Sequence, residues 1–261
     1  MRKRSTAVGL AVALLAALVS SVAVAGPTGK PVSSADGNSQ AIGSRVLPQK
    51  LSKKRMTPAA LEVTTRLSNP VAANGVPVPT TDVRVDFDRS TRIFTKGVPR
   101  CDAAKLQNAS TEVALQKCGR ARIGKGTARA LLPVGQQVFV VKQRVTAFNG
   151  RPKGRKPVVL LHTYGTEPIQ TALVLVGTVR NYYKQGFGPR LDVEVPLIAG
   201  GAGALTYFNV KIDKKYRFKG KRRSYIYAKC PKNKRLKTRS VFKFLDGQVT
   251  KPVYRQRCRH R

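Results

Sequence analysis

The chain of 261 residues contains little histidine, and its four cysteines are far apart. His162 and His260 are its two histidines, and neither a C-x-x-C nor an H-E-x-x-H pattern occurs. Because a structural zinc site needs closely spaced pairs of Cys or His, the sequence excludes one. No serine has the G-x-S-x-G surroundings of a hydrolase nucleophile. His162 stands alone in an apolar run, a pattern typical of a packed side chain, so the sequence predicts no catalytic residue, metal site or cofactor.

Acidic residues are also scarce, with 12 Asp and Glu against 50 Lys and Arg and a formal net charge of +38. A charge of this size attracts polyanions without specifying any fold. It fits equally well a protein whose charge serves solubility or adaptation to its surroundings. Composition leaves both interpretations open.

Long apolar runs are absent after the first 25 residues. Within those residues, Arg2-Lys3-Arg4 precede the apolar run Leu10–Val19, and Ala23-Val24-Ala25 matches a small-x-small cleavage pattern. These are the three parts of a secretory signal peptide, and the run is shorter than the ~20 residues that span a bilayer. We expect cleavage after Ala25, secretion to the medium or the cell envelope, and no transmembrane segment in the mature chain.

The four cysteines of an exported protein are candidates for disulfide bonds. They permit three connectivities, of which one joins neighbours in sequence. We predict Cys101–Cys118 and Cys230–Cys258, because each of these pairs is local and encloses its own segment.

Two regions of different composition follow the signal peptide. Residues 26–57 are rich in Gly, Pro, Ser, Lys and Asn without a sustained period, which predicts a flexible basic linker. The charge run Lys50–Arg55 at its end could touch an anionic surface, but a solvated run is the simpler account. Apolar and polar residues then alternate over Leu61–Leu67, as in a half-buried strand. We therefore place a single β-rich domain at residues 58–261.

The domain has many strand patterns separated by Gly, Pro and Asn, which favours an all-β fold, an antiparallel sandwich or barrel. One exception lies between Cys101 and Cys118, where Ser110 is a good N-cap and Gly119 a helix stop, so one or two short helical turns are expected. Asp246-Gly247 between two apolar runs predicts a hairpin. From Ile123 onward, the nine predicted strands are Ile123–Leu132, Gln137–Phe148, Val158–Tyr164, Thr171–Arg180, Arg190–Pro196, Leu205–Asp213, Ser224–Cys230, Leu236–Leu245 and Gln248–Tyr254.

Two motifs suggest chemistry without requiring it. Asp86 and Asp88 share one strand face, but Arg84 on that face favours a charge-paired outer surface over a catalytic or metal site. Gly119–Gly126 is close to a phosphate loop, yet Gly126 replaces the required Ser or Thr and a strand pattern follows. Neither motif supports an enzyme.

The last stretch, Lys214–Arg261, holds 19 Lys and Arg and the single acid Asp246. Its first part interleaves cations with aromatics, a mixture that suits anionic polymers. A cationic turn between two strands is the alternative interpretation. The candidate polyanion-binding residues are Lys219, Lys221, Arg222, Arg223, Lys232, Lys234 and Arg235.

Several segments resemble a family of uncharacterised, secreted, β-rich proteins from actinobacteria. The segments that carry the resemblance are Val85–Asp88, Thr95–Cys101, Ile198–Gly201, Lys219–Tyr225, Cys230-Pro231 and Asp246-Gly247. The resemblance implies export and a β fold that contains disulfides. These motifs are structural, and the family brings no activity with it.

The sequence therefore favours a secreted, non-enzymatic β protein that binds an anionic polymer of the cell envelope. A wall- or matrix-associated structural protein without a specific ligand is the first alternative. A carbohydrate-active enzyme is the second, because a pair of carboxylates is sufficient for glycoside hydrolysis. No spacing in the sequence selects such a pair.

Overall fold

The computed structural model describes residues 28–261. The predicted signal peptide, Met1–Ala25, lies outside the described residues. The first strands are β1 (Val32–Ser33), β2 (Ser39–Leu47), β3 (Lys50–Leu51), β4 (Thr57–Ser68), β5 (Thr80–Asp88), β6 (Thr91–Ile93), β7 (Arg122–Val134), β8 (Gln137–Asn149), β9 (Val158–Gly165) and β10 (Thr171–Asn181). The others are β11 (Phe187–Glu194), β12 (Ala204–Ile212), β13 (Lys215–Phe218), β14 (Lys221–Ser224), β15 (Ile226–Ala228), β16 (Arg235–Phe244), β17 (Val249–Thr250), β18 (Val253–Arg257) and β19 (Arg259–His260).

Most strands form one antiparallel sheet that curls into a nearly closed barrel, in the order β1-β2-β4-β12-β7-β8-β9-β10-β11-β5-β16-β17. Strand β15 pairs with β4 and β6, and β18 pairs with β16. Strands β13 and β14 form a separate hairpin, and β3 pairs with β19 in parallel. The predicted all-β antiparallel fold is confirmed.

Alternation along the strands builds the barrel interior. Val85 and Phe87 of β5, Leu161 of β9 and Val210 of β12 all point inward and are buried in one apolar cluster. Their neighbours in sequence point outward, because side chains of a strand alternate between its two faces. The barrel interior is therefore apolar, while most charges lie outside it.

Side chains close the seam of the barrel between β2 and the pair β16–β18. The amide of Gln256 accepts a hydrogen bond from Val46 N at 2.6 Å and donates one to Val46 O at 3.0 Å. Ser44 Oγ lies 2.5 Å from Thr238 Oγ1. The Gln256 side chain thus satisfies a backbone N–H and C=O that a neighbouring strand would otherwise pair, as buried polar groups require.

The prediction of a flexible linker over residues 26–57 is wrong, because β2 lies within this range and is paired with β4 along its whole length. Its sequence hides this role, since polar Gln40 and Ser44 are buried at 0% and 5% exposure. Gln40 Oε1 accepts a hydrogen bond from Thr250 Oγ1 at 2.7 Å. Buried polar pairs at the seam remove the apolar period that would have revealed the strand.

The single α-helix of the described chain, α1 (Thr111–Cys118), lies where a helical turn was expected. Ser110 Oγ accepts a hydrogen bond from Val113 N at 3.3 Å, and Gly119 N donates to Leu115 O at the other end. Three 3₁₀ segments, Ala103–Leu106, Gly119–Ala121 and Ala199–Gly201, complete the helical structure. The disulfide Cys101–Cys118 encloses the first helical region, with its Cα atoms 5.5 Å apart.

A hairpin forms at Asp246-Gly247, as predicted, but with a three-residue turn. Phe244 N donates to Gln248 O at 3.0 Å, and Gly247 alone in the turn has a positive φ, of 86°. This geometry is that of a type I turn followed by a left-handed residue. The glycine therefore fixes the end of the turn rather than its centre.

The charged outer face of β5 contains ion pairs, as predicted, but one of the paired residues, Asp86, is buried rather than at the surface. Asp86 is 0% exposed and lies in register between Arg190 of β11 and Arg239 of β16. Arg190 Nε lies 2.5 Å from Asp86 Oδ1, and Arg239 Nη2 lies 2.7 Å from Asp86 Oδ2. Because flanking arginines fold over the carboxylate from both sides, it is buried although it points away from the barrel interior.

Candidate functional site

Three segments distant in sequence meet at one site, which we call the cationic pole and define as residues 49–55, 229–235 and 255–261. Cys230 N donates to Ser52 O at 3.0 Å, and Arg259 N donates to Gln49 O at 2.9 Å. Cys258 N donates to Lys234 O at 2.9 Å. Backbone hydrogen bonds therefore join each segment to another, so the pole is an ordered part of the fold.

The disulfide Cys230–Cys258 lies at the centre of the pole, with its Cα atoms 5.9 Å apart. Both cysteines are buried, as are Leu51 and Leu236 beside them. His260 Nε2 lies 3.1 Å from Pro231 O and ties the last segment to the loop before β16. Both predicted disulfides are confirmed, and the second one anchors the most basic part of the protein.

The cationic pole contains twelve Lys and Arg in 21 residues and no Asp or Glu. Eleven of the twelve are exposed, and Lys229 is half-buried. None of them forms an ion pair with any of the described residues. The cations are Lys50, Lys53, Lys54, Arg55, Lys229, Lys232, Lys234, Arg235, Arg255, Arg257, Arg259 and Arg261.

Some of these cations stand directly opposite one another. Arg235 pairs in register with Arg257, and Arg259 with Lys50. Like charges placed directly across strands destabilise a sheet, so packing, the disulfide and the backbone hydrogen bonds must offset their repulsion. A bound polyanion would reduce the same repulsion.

The hairpin of β13 and β14, which we call the basic hairpin and define as Lys215–Ser224, is a second group of cations. Its turn residues Lys219 and Gly220 have φ of 50° and 71°, as a two-residue type I′ turn requires. Tyr216 Oη donates to Lys96 O at 2.7 Å, and Phe218 lies directly against Gly97, where a Cβ would be 2.2 Å from its ring. The aromatics therefore dock the hairpin, and its exposed cations are Lys215, Arg217, Lys219, Lys221 and Arg222.

Arg223 differs from the other predicted hairpin cations. It is half-buried, and its guanidinium carbon lies 5.5 Å from the centre of the Phe94 ring. Its Nε is buried and has no hydrogen-bond partner within the described chain. Arg223 thus packs against an aromatic side chain and offers less of its charge to a ligand than its neighbours do.

The seven candidate residues divide between these two surfaces. Lys219, Lys221, Arg222 and Arg223 belong to the basic hairpin, whereas Lys232, Lys234 and Arg235 belong to the cationic pole. Sequence reasoning missed the arginines of the last segment, Arg255–Arg261. A signal was present, because these arginines recur at every second residue and so share one face of an extended strand.

A third basic surface, which the sequence analysis did not single out, surrounds Tyr207 on the outside of the barrel. The guanidinium carbons of Arg66 and Arg129 lie 5.5 and 5.6 Å from the centre of its ring. Lys142 stands opposite Arg129 on the next strand. These residues come from β4, β12, β7 and β8, so only the pairing of the strands brings them together.

The acidic residues concentrate elsewhere. Five of the twelve lie on the neighbouring strands β5 and β11, and three of these, Asp82, Asp192 and Glu194, line an outer groove of about 520 Å³. Burial raises the pKa of Asp192, but hydrogen bonds from Arg180 and Arg84 outweigh it and hold that pKa below its ordinary value. The groove therefore contains paired charges, in contrast to the pole.

His162 is buried at 0% exposure, with Nε2 at 2.9 Å from Ala109 O. Burial lowers the pKa of its imidazole, so the ring is neutral near pH 7. Gly126, the last residue of the apparent phosphate loop, also has a structural role, since a Cβ on it would lie 1.9 Å from Asn209 O. These features serve packing between strands, as the sequence patterns predicted for His162.

Among residues 28–261, no group of three or more His, Cys, Asp or Glu is placed to hold a metal ion. No helix in that range is both long and apolar enough to cross a membrane. Comparison with protein-family models, curated proteins and solved structures found no match. The site geometry is therefore the basis for any functional conclusion.

Proposed function

We propose that the protein is exported, is not an enzyme, and binds anionic polymers of the cell envelope through the cationic pole. The observation that carries this proposal is the set of twelve cations, none ion-paired within residues 28–261, that three tied segments without Asp or Glu hold together. Two disulfides accord with an oxidising location outside the cytoplasm. The resemblance to secreted actinobacterial proteins points to the same compartment.

The binding mechanism would be electrostatic. A polymer with regularly spaced phosphates or carboxylates condenses small cations around itself, and a protein that neutralises those charges releases them. The gain in entropy drives association and makes it depend on salt. Because the exposed cations of the pole lie on several strand ends and loops, they would contact successive anionic groups without selecting one polymer sequence or sugar.

The basic hairpin provides a matched control for the test. Five cations are removed from each surface, and the lysine with positive φ at each surface is replaced by Asn, which tolerates that conformation. The pole variant carries Lys232→Gln, Lys234→Asn, Arg235→Gln, Arg257→Gln and Arg259→Gln. The hairpin variant carries Lys215→Gln, Arg217→Gln, Lys219→Asn, Lys221→Gln and Arg222→Gln.

Affinity for poly(glycerol phosphate) is measured at several salt concentrations, with a single-stranded oligonucleotide as the calibrating phosphate polymer. For the oligonucleotide, the slope of log affinity against log salt changes by about 0.7 per phosphate contact. We expect the pole variant to lose as much as about 3.5 from this slope and the hairpin variant much less. Urea unfolding should show that both variants remain folded, since exposed substitutions change stability by about 0.5 kcal/mol or less.

Equal losses in the two variants would show that the charge acts diffusely, as the structural alternative holds. Unchanged affinity in both would contradict polyanion binding through either surface. Hydrolysis of a glycan by the wild-type protein would instead favour the carbohydrate-active alternative.

A further inference from the structure

The interior of the barrel contains a cavity of about 110 Å³ whose exposed wall is entirely apolar. Seven of the side chains around it are only half-buried, although they pack against the central core. They are Val63, Val83, Ile93, Leu175, Leu191, Leu205 and Phe208. Their remaining accessible surface is the surface that a molecule inside the barrel would cover.

The register of the strands shows that these side chains face the interior. Val63 stands opposite Val210 of β12, and Leu191 stands opposite Val85 of β5, and both partners belong to the central core cluster. Protein interiors are normally packed without voids larger than a water molecule. An interior space surrounded by half-buried Leu, Val and Phe is therefore a feature of this barrel rather than an ordinary packing defect.

Water is a poor occupant of this space. A buried water needs two to four polar partners, and the accessible wall of the cavity has none. A dry engineered cavity of about 150 Å³ with a similar lining accepts benzene. The space in the barrel is somewhat smaller, so an occupant the size of one aromatic ring would need only slight movement of the flexible Leu side chains.

We propose that the barrel interior is a binding site for a small apolar molecule, or for the apolar end of a larger one, about the size of one aromatic ring. The cavity extends toward the end of the barrel at which Val195, one of its lining residues, follows β11. Leu197 and Leu245 are exposed at 42% and 51%, and both lie near Gly201 of the loop that leads to β12. An entrance at this apolar rim is part of the proposal.

The proposal is independent of the proposed function, because no charged residue and no residue of the cationic pole lines the cavity. Binding inside the barrel should therefore not depend on salt. Variants of the cationic pole should retain it, and variants of the cavity should retain affinity for polyanions.

Benzene is the probe for the test, added to wild-type protein while the methyl resonances of Val and Leu are followed by NMR. We expect saturable shifts for Val63, Leu175, Leu191 and their neighbours. The methyls of Leu106, in the separate cluster around the Cys101–Cys118 disulfide, should not shift. Because a ligand that binds only the folded state stabilises it, the melting temperature should rise with benzene concentration.

Leu175→Phe fills the cavity from within and should weaken benzene binding roughly tenfold or more. Val63→Ile with Val83→Ile adds less bulk and serves if the first variant does not fold. Phenol, which has the same ring with a hydroxyl, should bind less tightly, because the wall offers that hydroxyl no partner. Absence of saturable shifts up to the solubility limit of benzene, or equal binding to a folded filled variant, would overturn the proposal.

Discussion

The Asp86 network and the cationic pole hold arginines in opposite environments. The network consists of Asp86, Arg190 and Arg239, with side-chain exposures of 0%, 13% and 22%. The guanidinium carbon of Arg190 lies 3.6 Å from the centre of the Tyr182 ring, which covers it. The guanidinium carbon of Arg239 lies 4.6 Å from the centre of the Phe187 ring. In the pole, by contrast, none of the eleven exposed cations forms an ion pair or a cation–π contact with any residue in the range 28–261.

The contrast separates two uses of positive charge within one chain. In the network, each guanidinium donates to the carboxylate of Asp86 and is covered by an aromatic ring. Its charge is therefore neutralised within the fold, where the ion pairs join β5 to β11 and β16. In the pole, the backbone and the disulfide hold the segments, and the charges are left for solvent or a ligand. Total net charge cannot distinguish these uses, whereas the pairing of each cation can.

The largest expected effect comes from breaking the network at Asp86. Asp86→Asn keeps the size of the side chain but leaves Arg190 and Arg239 without a counter-charge. Loss of one partner from a buried pair costs about 3–5 kcal/mol, and we expect the lower end because both arginines retain some solvent access. The free energy of unfolding in urea measures this effect.

Asp102→Asn is the matched control, since Asp102 pairs with Arg151 at 3.2 Å and the two side chains are 39% and 72% exposed. Solvent-exposed pairs contribute about 1 kcal/mol or less. Similar losses in the two variants would mean that burial does not distinguish the Asp86 network from ordinary surface pairs.

The next effect compares the two disulfides. Replacing Cys230 and Cys258 by Ala, or Cys101 and Cys118 by Ala, should each cost about 3–4 kcal/mol, because the enclosed loops of 28 and 17 residues have similar closure entropies. Asp102 and Glu112 lie within the segment that Cys101–Cys118 encloses, whereas Cys230–Cys258 holds together three basic segments that contain no Asp or Glu. The loss on removing Cys230–Cys258 should therefore be greater at low salt than at 1 M NaCl, where charges more than about 3 Å apart are screened.

Urea unfolding at both salt concentrations tests this difference, since urea adds no ions. The Cys101/Cys118 variant should show nearly the same loss at both. If the Cys230/Cys258 variant also shows no salt dependence, the pole is not under electrostatic stress, and the contrast with the Asp86 network is weaker than its geometry indicates.

Local patterns were sufficient for much of the fold. Two-residue alternation located the strands of the second half, because each has one face in the barrel and one in solvent. Ser110 and Gly119 located the helix through their capping chemistry. The disulfide pairing was predictable from proximity in sequence, since each bond joins cysteines that are neighbours in the chain.

The remaining features depend on contacts between distant segments. Strand β2 escaped prediction because Gln40 and Ser44 are satisfied by threonines about 200 residues away. A similar distance separates Lys50 from Arg259, and no local pattern indicates that the charge run at Lys50 joins the last arginines. Buried polar pairs and parallel strand pairing leave no local period in the sequence. Buried polar pairs close the seam, and the parallel pairing of β3 with β19 joins the first and last segments of the cationic pole.

The smallest expected effect concerns Asp192, which lies between the two extremes. Its side chain is 25% exposed and pairs with Arg180 at 2.7 Å and Arg84 at 3.2 Å, both largely solvated. Because these pairs hold the pKa of Asp192 below its ordinary value, the folded state gains stability when the carboxylate is ionised. That gain is present above the unfolded pKa of about 3.9 and is lost as pH falls through the folded value.

Asp192→Asn should therefore cost about 1 kcal/mol or less near pH 7, since exposed pairs contribute little. The difference from wild type should disappear as Asp192 becomes protonated, at a pH below about 3.9. Asp82→Asn is the control, because Asp82 lines the same groove but forms no ion pair among the described residues. Urea unfolding at a series of pH values separates the two variants. If the difference in unfolding free energy between Asp192→Asn and wild type persists in acid, the variant has lost packing rather than a charge interaction. The surface arginines that pair with Asp192 would then resemble the arginines of the pole more than those of the Asp86 network.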